Sequence, residues 1–151
     1  QGKRYILNVI ETEGRTKAEV RGDYLDLYVK PGAGLEKKHK VMNVFYRREM
    51  KKQLTGIVAK WEKKMGISAG EIRIRQMKTR WGSCSIKKKK IWLNLELAKK
   101  PLPCLEYVVV HEMTHYFERL HNSSFKKILS SYLPDWKLLR DELNRGPLGN
   151  T

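Results

Sequence analysis

Between Met42 and Met65 the apolar residues Met42, Phe45, Tyr46, Met50, Leu54, Ile57, Val58, Trp61 and Met65 recur at spacings of three and four. That period predicts one long amphipathic helix, ended near Gly66. Its polar face carries Lys37, Lys38, Lys40, Arg47, Arg48, Lys51, Lys52, Lys63 and Lys64. The helix divides the chain, because the segments before it alternate like strands and those at the far end have helical spacing.

From Arg4 to Ile10 the residues alternate with Tyr5, Leu7 and Val9 on one side, Ala18 to Arg21 is again extended, and Tyr24 to Val29 alternates through Leu25, Leu27 and Val29. With a break at Gly14, a turn at Gly22-Asp23 and a close at Pro31-Gly32, this predicts a meander of short antiparallel strands. After the helix, Ile72 and Ile74 alternate with Arg73 and Arg75 in a strand running to about Lys78. Arg80 to Ile86 and Ile91 to Leu95 flank four lysines, Lys87 to Lys90, and read as a hairpin with a charged tip. Pro101 and Pro103 suit the first turn of a helix continuing to about Leu120. Ser123 would cap a helix containing Phe125, Ile128, Leu129 and Tyr132, and Pro134 begins a last one with Trp136, Leu139 and Leu143 inward and Gly146 at its end. The organisation is α+β: one domain over residues 1–146 and a tail over residues 147–151.

The 151 residues suit one domain, and 40% hydrophobic with 32% charged residues excludes a wholly disordered chain. No apolar run approaches the ~20 residues of a membrane span, so the expectation is a soluble, cytoplasmic protein. Cys84 and Cys104 form neither a disulfide framework nor a CxxC pair, in keeping with a reducing compartment. Thirty-two Lys and Arg against sixteen Asp and Glu leave a net charge of +16. Such an excess either keeps the surface solvated or attracts a polyanion, nucleic acid among them.

The chemistry concentrates in His111-Glu112-Met113-Thr114-His115, an HExxH pattern, with His121 six positions on. Residues four apart on a helix are neighbours, so both imidazoles can meet one cation while Glu112 points alongside. A catalytic zinc site takes three protein ligands and keeps a position for water, which a carboxylate deprotonates. His121 is the third-ligand candidate within local reach, and Asn122 and Ser123 favour the turn that folds it back. Position 118 is Glu, and no Met-turn follows, which excludes the metzincins. One Zn2+ is the expected cofactor, although three histidines also accept cobalt, nickel or manganese. His39, among Lys37, Lys38 and Lys40, reads as a surface residue, and both cysteines as small buried ones.

The segments Met77-Lys78-Thr79-Arg80-Trp81-Gly82-Ser83-Cys84-Ser85, Ile91-Trp92-Leu93-Asn94-Leu95, and Val108 to His115 with His121-Asn122 together resemble the YgjP-like metallopeptidase family of predicted metal-dependent hydrolases. The similarity runs from the first strands to Leu139–Asn144. It implies a minimal zincin: a mixed or antiparallel sheet, a backing helix and an active-site helix bearing the metal. The family is similar in its core to SprT-like and WLM proteases, which act on proteins crosslinked to DNA, an analogy that does not fix a substrate. The resemblance implies His111, His115 and His121 as metal ligands and Glu112 as general base. It also covers Arg80, Trp81 and Ser83, whose roles stay open: Arg80 stabilises an oxyanion or phosphate oxygen, or pairs with Glu96 or Glu106, and Trp81 contacts substrate or packs the hairpin on the helix. Tyr116 offers a hydroxyl but lies in the apolar stripe of its helix.

Three functions follow. The first is a zinc metallopeptidase whose extended peptide or protein substrate adds to a sheet edge, either Trp81 to Ile86 or Ile91 to Leu95. The second is a nucleotide or phosphoanhydride hydrolase, for which Arg73, Arg75, Lys78, Arg80 and the lysine tip would neutralise developing charge. The third is a basic nucleic-acid-associated module whose metal is structural.

Overall fold

A computed structural model describes residues 5–145. The long helix is α1, Leu35–Met65, which buries Phe45, Met50, Leu54, Ile57, Trp61 and Met65. It stops at Gly66, whose φ of 69° is left-handed and whose N–H donates to Glu62 O at 2.9 Å. Glycine adopts that conformation without the Cβ penalty, so the helix ends where the sequence places it.

α1 serves two cores. Its first half closes over a sheet of β1 (Ile6–Glu11), β2 (Lys17–Arg21) and β3 (Tyr24–Val29), where Phe45 packs with Ala18, Leu25, Leu27 and Val29. From Met50 onward it enters a larger core shared with the second sheet and the remaining helices.

The first sheet is not the predicted meander. Its order is β1-β3-β2, with β2 antiparallel to β3 as expected but β1 parallel to β3 in the register Ile6↔Tyr24 to Glu11↔Val29. β3 takes the centre because it has most to bury: Leu25, Leu27 and Val29 are almost fully enclosed on the helix side. On the other face Asp26 is also enclosed, accepting from Arg21 Nε at 2.9 Å and Asn8 Nδ2 at 3.2 Å.

The second sheet has the order β4-β6-β5, with β4 (Glu71–Arg75), β5 (Gly82–Ser85) and β6 (Lys90–Asn94). β5 and β6 form the predicted hairpin, antiparallel from Gly82↔Leu93 to Ser85↔Lys90, with the lysine run at its turn. β4 ends at Arg75 rather than Lys78 because the loop beyond it is tied to buried Asn94, whose Nδ2 donates to Met77 O at 3.0 Å and Arg80 O at 2.7 Å.

After a 3-10 turn, Leu95–Lys99, come α2 (Leu102–Thr114), α3 (Ser123–Tyr132) and α4 (Trp136–Leu143). α2 begins at the two prolines as predicted but stops at Thr114, not Leu120. Beyond Met113 its apolar stripe leaves the core: Tyr116 is half-buried and Leu120 is 57% exposed, so burial no longer supports another turn. α3 is capped one residue earlier than predicted, by Asn122, whose Oδ1 accepts from Phe125 N at 3.0 Å. The predicted stop at Gly146 and the tail over residues 147–151 lie outside the described residues. Among the described residues no helix is long and apolar enough to cross a membrane.

Candidate metal centre

α2 is buried almost throughout, and its last turn carries His111 and Glu112 into a cleft of about 430 Å³ lined also by His115, His121, Arg80, Ser83 and Arg119. The early end of α2 brings the third histidine in. Glu118 Oε1 accepts from Asn122 Nδ2 at 2.8 Å and from Leu120 N at 3.4 Å, which folds residues 115–121 back so that His121 meets the other two. One ring nitrogen from each of His111, His115 and His121 lies within 4.8 Å of the others. Among the described residues no other group of three His, Cys, Asp or Glu side chains converges in this way.

The imidazoles are oriented from outside the cluster. His115 Nδ1 faces Arg119 O at 3.0 Å and Glu118 O at 3.3 Å; two carbonyl acceptors place the proton on Nδ1 and leave Nε2 as a free lone pair. His111 Nδ1 lies 3.4 Å from the Tyr107 hydroxyl, and its Nε2 lies 3.1 Å from His121 Nε2. Burial, with His115 and His121 beside it, pushes His111 down to about 3, and burial likewise lowers His115. Phe125 of α3 supports all three rings, at centroid distances of 5.0 Å to His111, 4.7 Å to His115 and 5.0 Å to His121. Three converging imidazoles of borderline softness, two of them held by partners outside the cluster, fit a divalent transition metal.

Glu112 is almost fully enclosed, and burial pushes its carboxyl up to about 8 against the opposing charge of Arg80. It fits there because β5 contributes a glycine at its closest approach: a Cβ on Gly82 would stand 3.1 Å from Glu112 Oε2. Arg80 is exposed at the cleft and pairs with neither Glu96 nor Glu106, which bind Lys99 at 2.9 Å and Lys60 at 3.0 Å. Trp81 is 2% exposed and its Nε1 donates to Asn144 Oδ1 at 3.2 Å, so it packs the hairpin on the helices. Ser83 borders the cleft, but its register partner is Trp92, on the face of the sheet opposite Gly82. The Tyr116 hydroxyl turns away to Ala69 O at 2.8 Å. Arg73 is bound to Glu71 and Arg75 lies over Trp92, both on the far strand β4, so these two do not line the cleft.

Sequence reasoning missed Gly82 and Phe125. Gly82 lay inside the quoted motif without a role, and its signal is a glycine between two bulky strand segments that face a helix. Phe125 read as one more core residue of α3. Its spacing of four from His121 was a signal, since it lies on the first turn after the cap that follows that histidine. Cys104 is buried and Cys84 half-buried, both with thiols raised to about 11 by burial, as suits structural positions.

No curated protein matches this sequence significantly. Among solved structures, the metallopeptidase zymogen abylysin of Pyrococcus abyssi shares the fold, with a TM-score of 0.55 and 21% identity over 60% of this chain and 90% of that one. The metallopeptidase zymogen jannalysin of Methanocaldococcus jannaschii superposes with a TM-score of 0.49 at 24% identity, over 56% of this chain and 90% of that one. The family model described as the YgjP-like metallopeptidase domain matches residues 1–146, and the chain belongs to that family.

Proposed function

We propose that this chain is a zinc-dependent metallopeptidase of minimal zincin type, a single domain over residues 1–146, with His111, His115 and His121 as the metal ligands and Glu112 as general base. The observation that carries the reading is the convergence of three imidazoles beside a buried carboxyl in one open cleft. A zinc ion bound there supplies Lewis acidity to a water and to the scissile carbonyl. Glu112 accepts the proton of the attacking water and returns it to the leaving amine, a shuttle for which its carboxyl stands in the cleft beside His111 and His115. Among the described residues β5 pairs with β6 alone, which leaves its outer edge beside the cleft to receive an extended peptide by main-chain hydrogen bonds. Cobalt, nickel and manganese suit the same three nitrogens, and zinc is favoured by a ligand set of this kind next to a carboxylate base.

Arg80 and Arg119 at the cleft favour a second reading, hydrolysis of a nucleotide or other phosphoanhydride, in which the guanidinium groups hold phosphate oxygens.

Mass-spectrometric turnover of unfolded proteins and nucleoside triphosphates by the zinc-loaded protein and its Glu112→Gln variant tests both. Peptide fragments made by the unmutated protein alone, with metal retained by the variant, are the expected result. Equal fragmentation by the variant removes Glu112 as base, and phosphate release with proteins left intact replaces the first reading by the second.

A further inference from the structure

A second concavity of about 440 Å³ lies between the β2 side of the first sheet and the first half of α1, and it shares no residue with the metal cleft. Arg15, Lys17, Lys40 and Arg48 line it around the apolar side chains of Val44 and Phe45, and no carboxylate does. Lysines scattered on a surface are ordinarily just solvated, but here Arg15 from the loop before β2 and Lys40 and Arg48 from α1 converge on one hollow, while the Lys17 ammonium is drawn to Glu19 and the Tyr28 ring on the opposite face of the sheet.

Arg48 is held in place. Its Nη2 donates to Ala18 O at 3.1 Å, and its guanidinium lies 5.7 Å from the centroid of the buried Phe45 ring. Lys17 is bound to Glu19 at 2.9 Å, whereas Arg15 and Lys40 belong to no ion pair among the described residues. The hollow also has a continuation. Lys37, Lys40, Val44, Arg48 and Lys51 follow one another at spacings of three and four, so they form one stripe of α1. At 1.5 Å per residue that stripe is about 21 Å long, which matches about six base pairs of duplex.

We infer that this groove and stripe bind the phosphodiester backbone of a nucleic acid without regard to base sequence. The straight run of cations with no interspersed acid complements a stiff, regularly charged polymer. An acidic peptide would have to present carboxylates at matching positions along a straight line. Val44, 66% exposed in the middle of the stripe, has an apolar surface that suits sugar contact. The site is independent of the metal, so it stands or falls separately from the peptidase reading.

The test is fluorescence anisotropy of a labelled 20-base-pair DNA duplex of arbitrary sequence, titrated with the full chain over a range of salt. The groove variant Arg15→Gln/Lys40→Gln is compared with a tip variant of equal charge change, Lys87→Gln/Lys88→Gln, both verified as folded by thermal melting. Counterion release predicts that losing two phosphate contacts weakens binding about 10- to 100-fold near 0.1 M salt and lowers the slope of log K against log salt by roughly 2. The tip variant is expected to bind like the unmutated chain. Equal losses in both variants would reduce the effect to net charge and overturn the site, as would the absence of saturable binding. Displacement of the duplex by polyglutamate at equal charge concentration would overturn it in favour of an acidic protein partner.

Discussion

Gly82 of β5 and Glu112 of α2 touch, and a Cβ on Gly82 would stand 3.1 Å from Glu112 Oε2 and 2.9 Å from Val108 Cγ1. In Gly82→Ala the strand is held by its pairing with Leu93, so the side chains of Val108 and Glu112 are the parts that give. A displacement of this kind next to the reacting atoms costs turnover on the order of 100-fold. The expected outcome is a lower kcat with unchanged metal stoichiometry, read from steady-state kinetics and elemental analysis.

Phe125 touches all three histidine rings but offers no ligand atom. Phe125→Leu keeps most of the apolar volume and removes the flat support, so stability should fall by roughly 1 kcal/mol. Metal affinity should fall further, by about 10- to 100-fold, as for other groups that orient ligands from behind. Urea unfolding of the metal-free protein and competition with a chromogenic chelator separate the two effects.

Asn94 is fully buried and its side chain makes four hydrogen bonds, Nδ2 donating to Met77 O at 3.0 Å and Arg80 O at 2.7 Å and Oδ1 accepting from Met77 N at 3.4 Å and Glu96 N at 3.0 Å. Asn94→Ala strands these backbone groups and should destabilise the protein by about 3 kcal/mol. Limited proteolysis should then cut between residues 76 and 81, the loop that delivers Arg80 to the cleft. An uncut loop would show that the hairpin alone positions it.

Asp26 predicts an acid-dependent loss of stability. The hydrogen bond from Arg21, aided by Asn8, holds its carboxyl below the ordinary 3.8. The unfolded chain therefore binds the proton more tightly, so the stabilisation is present above 3.8 and disappears as pH falls through the lower value held in the fold. In Asp26→Asn the urea midpoint should be lower near neutrality, and its decline below pH 4 should be shallower than in the unmutated chain.

What could be read from the sequence was what depends on local spacing. The 3.6 period and Gly66 located α1, alternation around four lysines located the β5–β6 hairpin, and HExxH put two imidazoles on one helical face. What could not be read depends on competition between segments. Nothing in the alternation of Ile6–Glu11 says that it lies parallel to β3, because that pairing is decided by which strand most needs the centre. The end of α2 at Thr114 was hidden for a related reason: Tyr116 and Leu120 continue the apolar stripe, but Leu120 stays exposed in the fold. Gly82 lies 30 residues before Glu112 and Phe125 lies 14 after His111, so these contacts arise only on folding.

Because α1 passes from a small core into a large one, its backbone amides should not exchange with deuterium as a single block. Opening the sheet of β1, β2 and β3 exposes only the turns around Phe45, at a cost below that of global unfolding, whereas releasing amides between Met50 and Met65 requires melting the core beneath the histidine cluster. One uninterrupted helix would thus record two cooperative units, with a step in protection between Phe45 and Met50 marking where one hands over to the other.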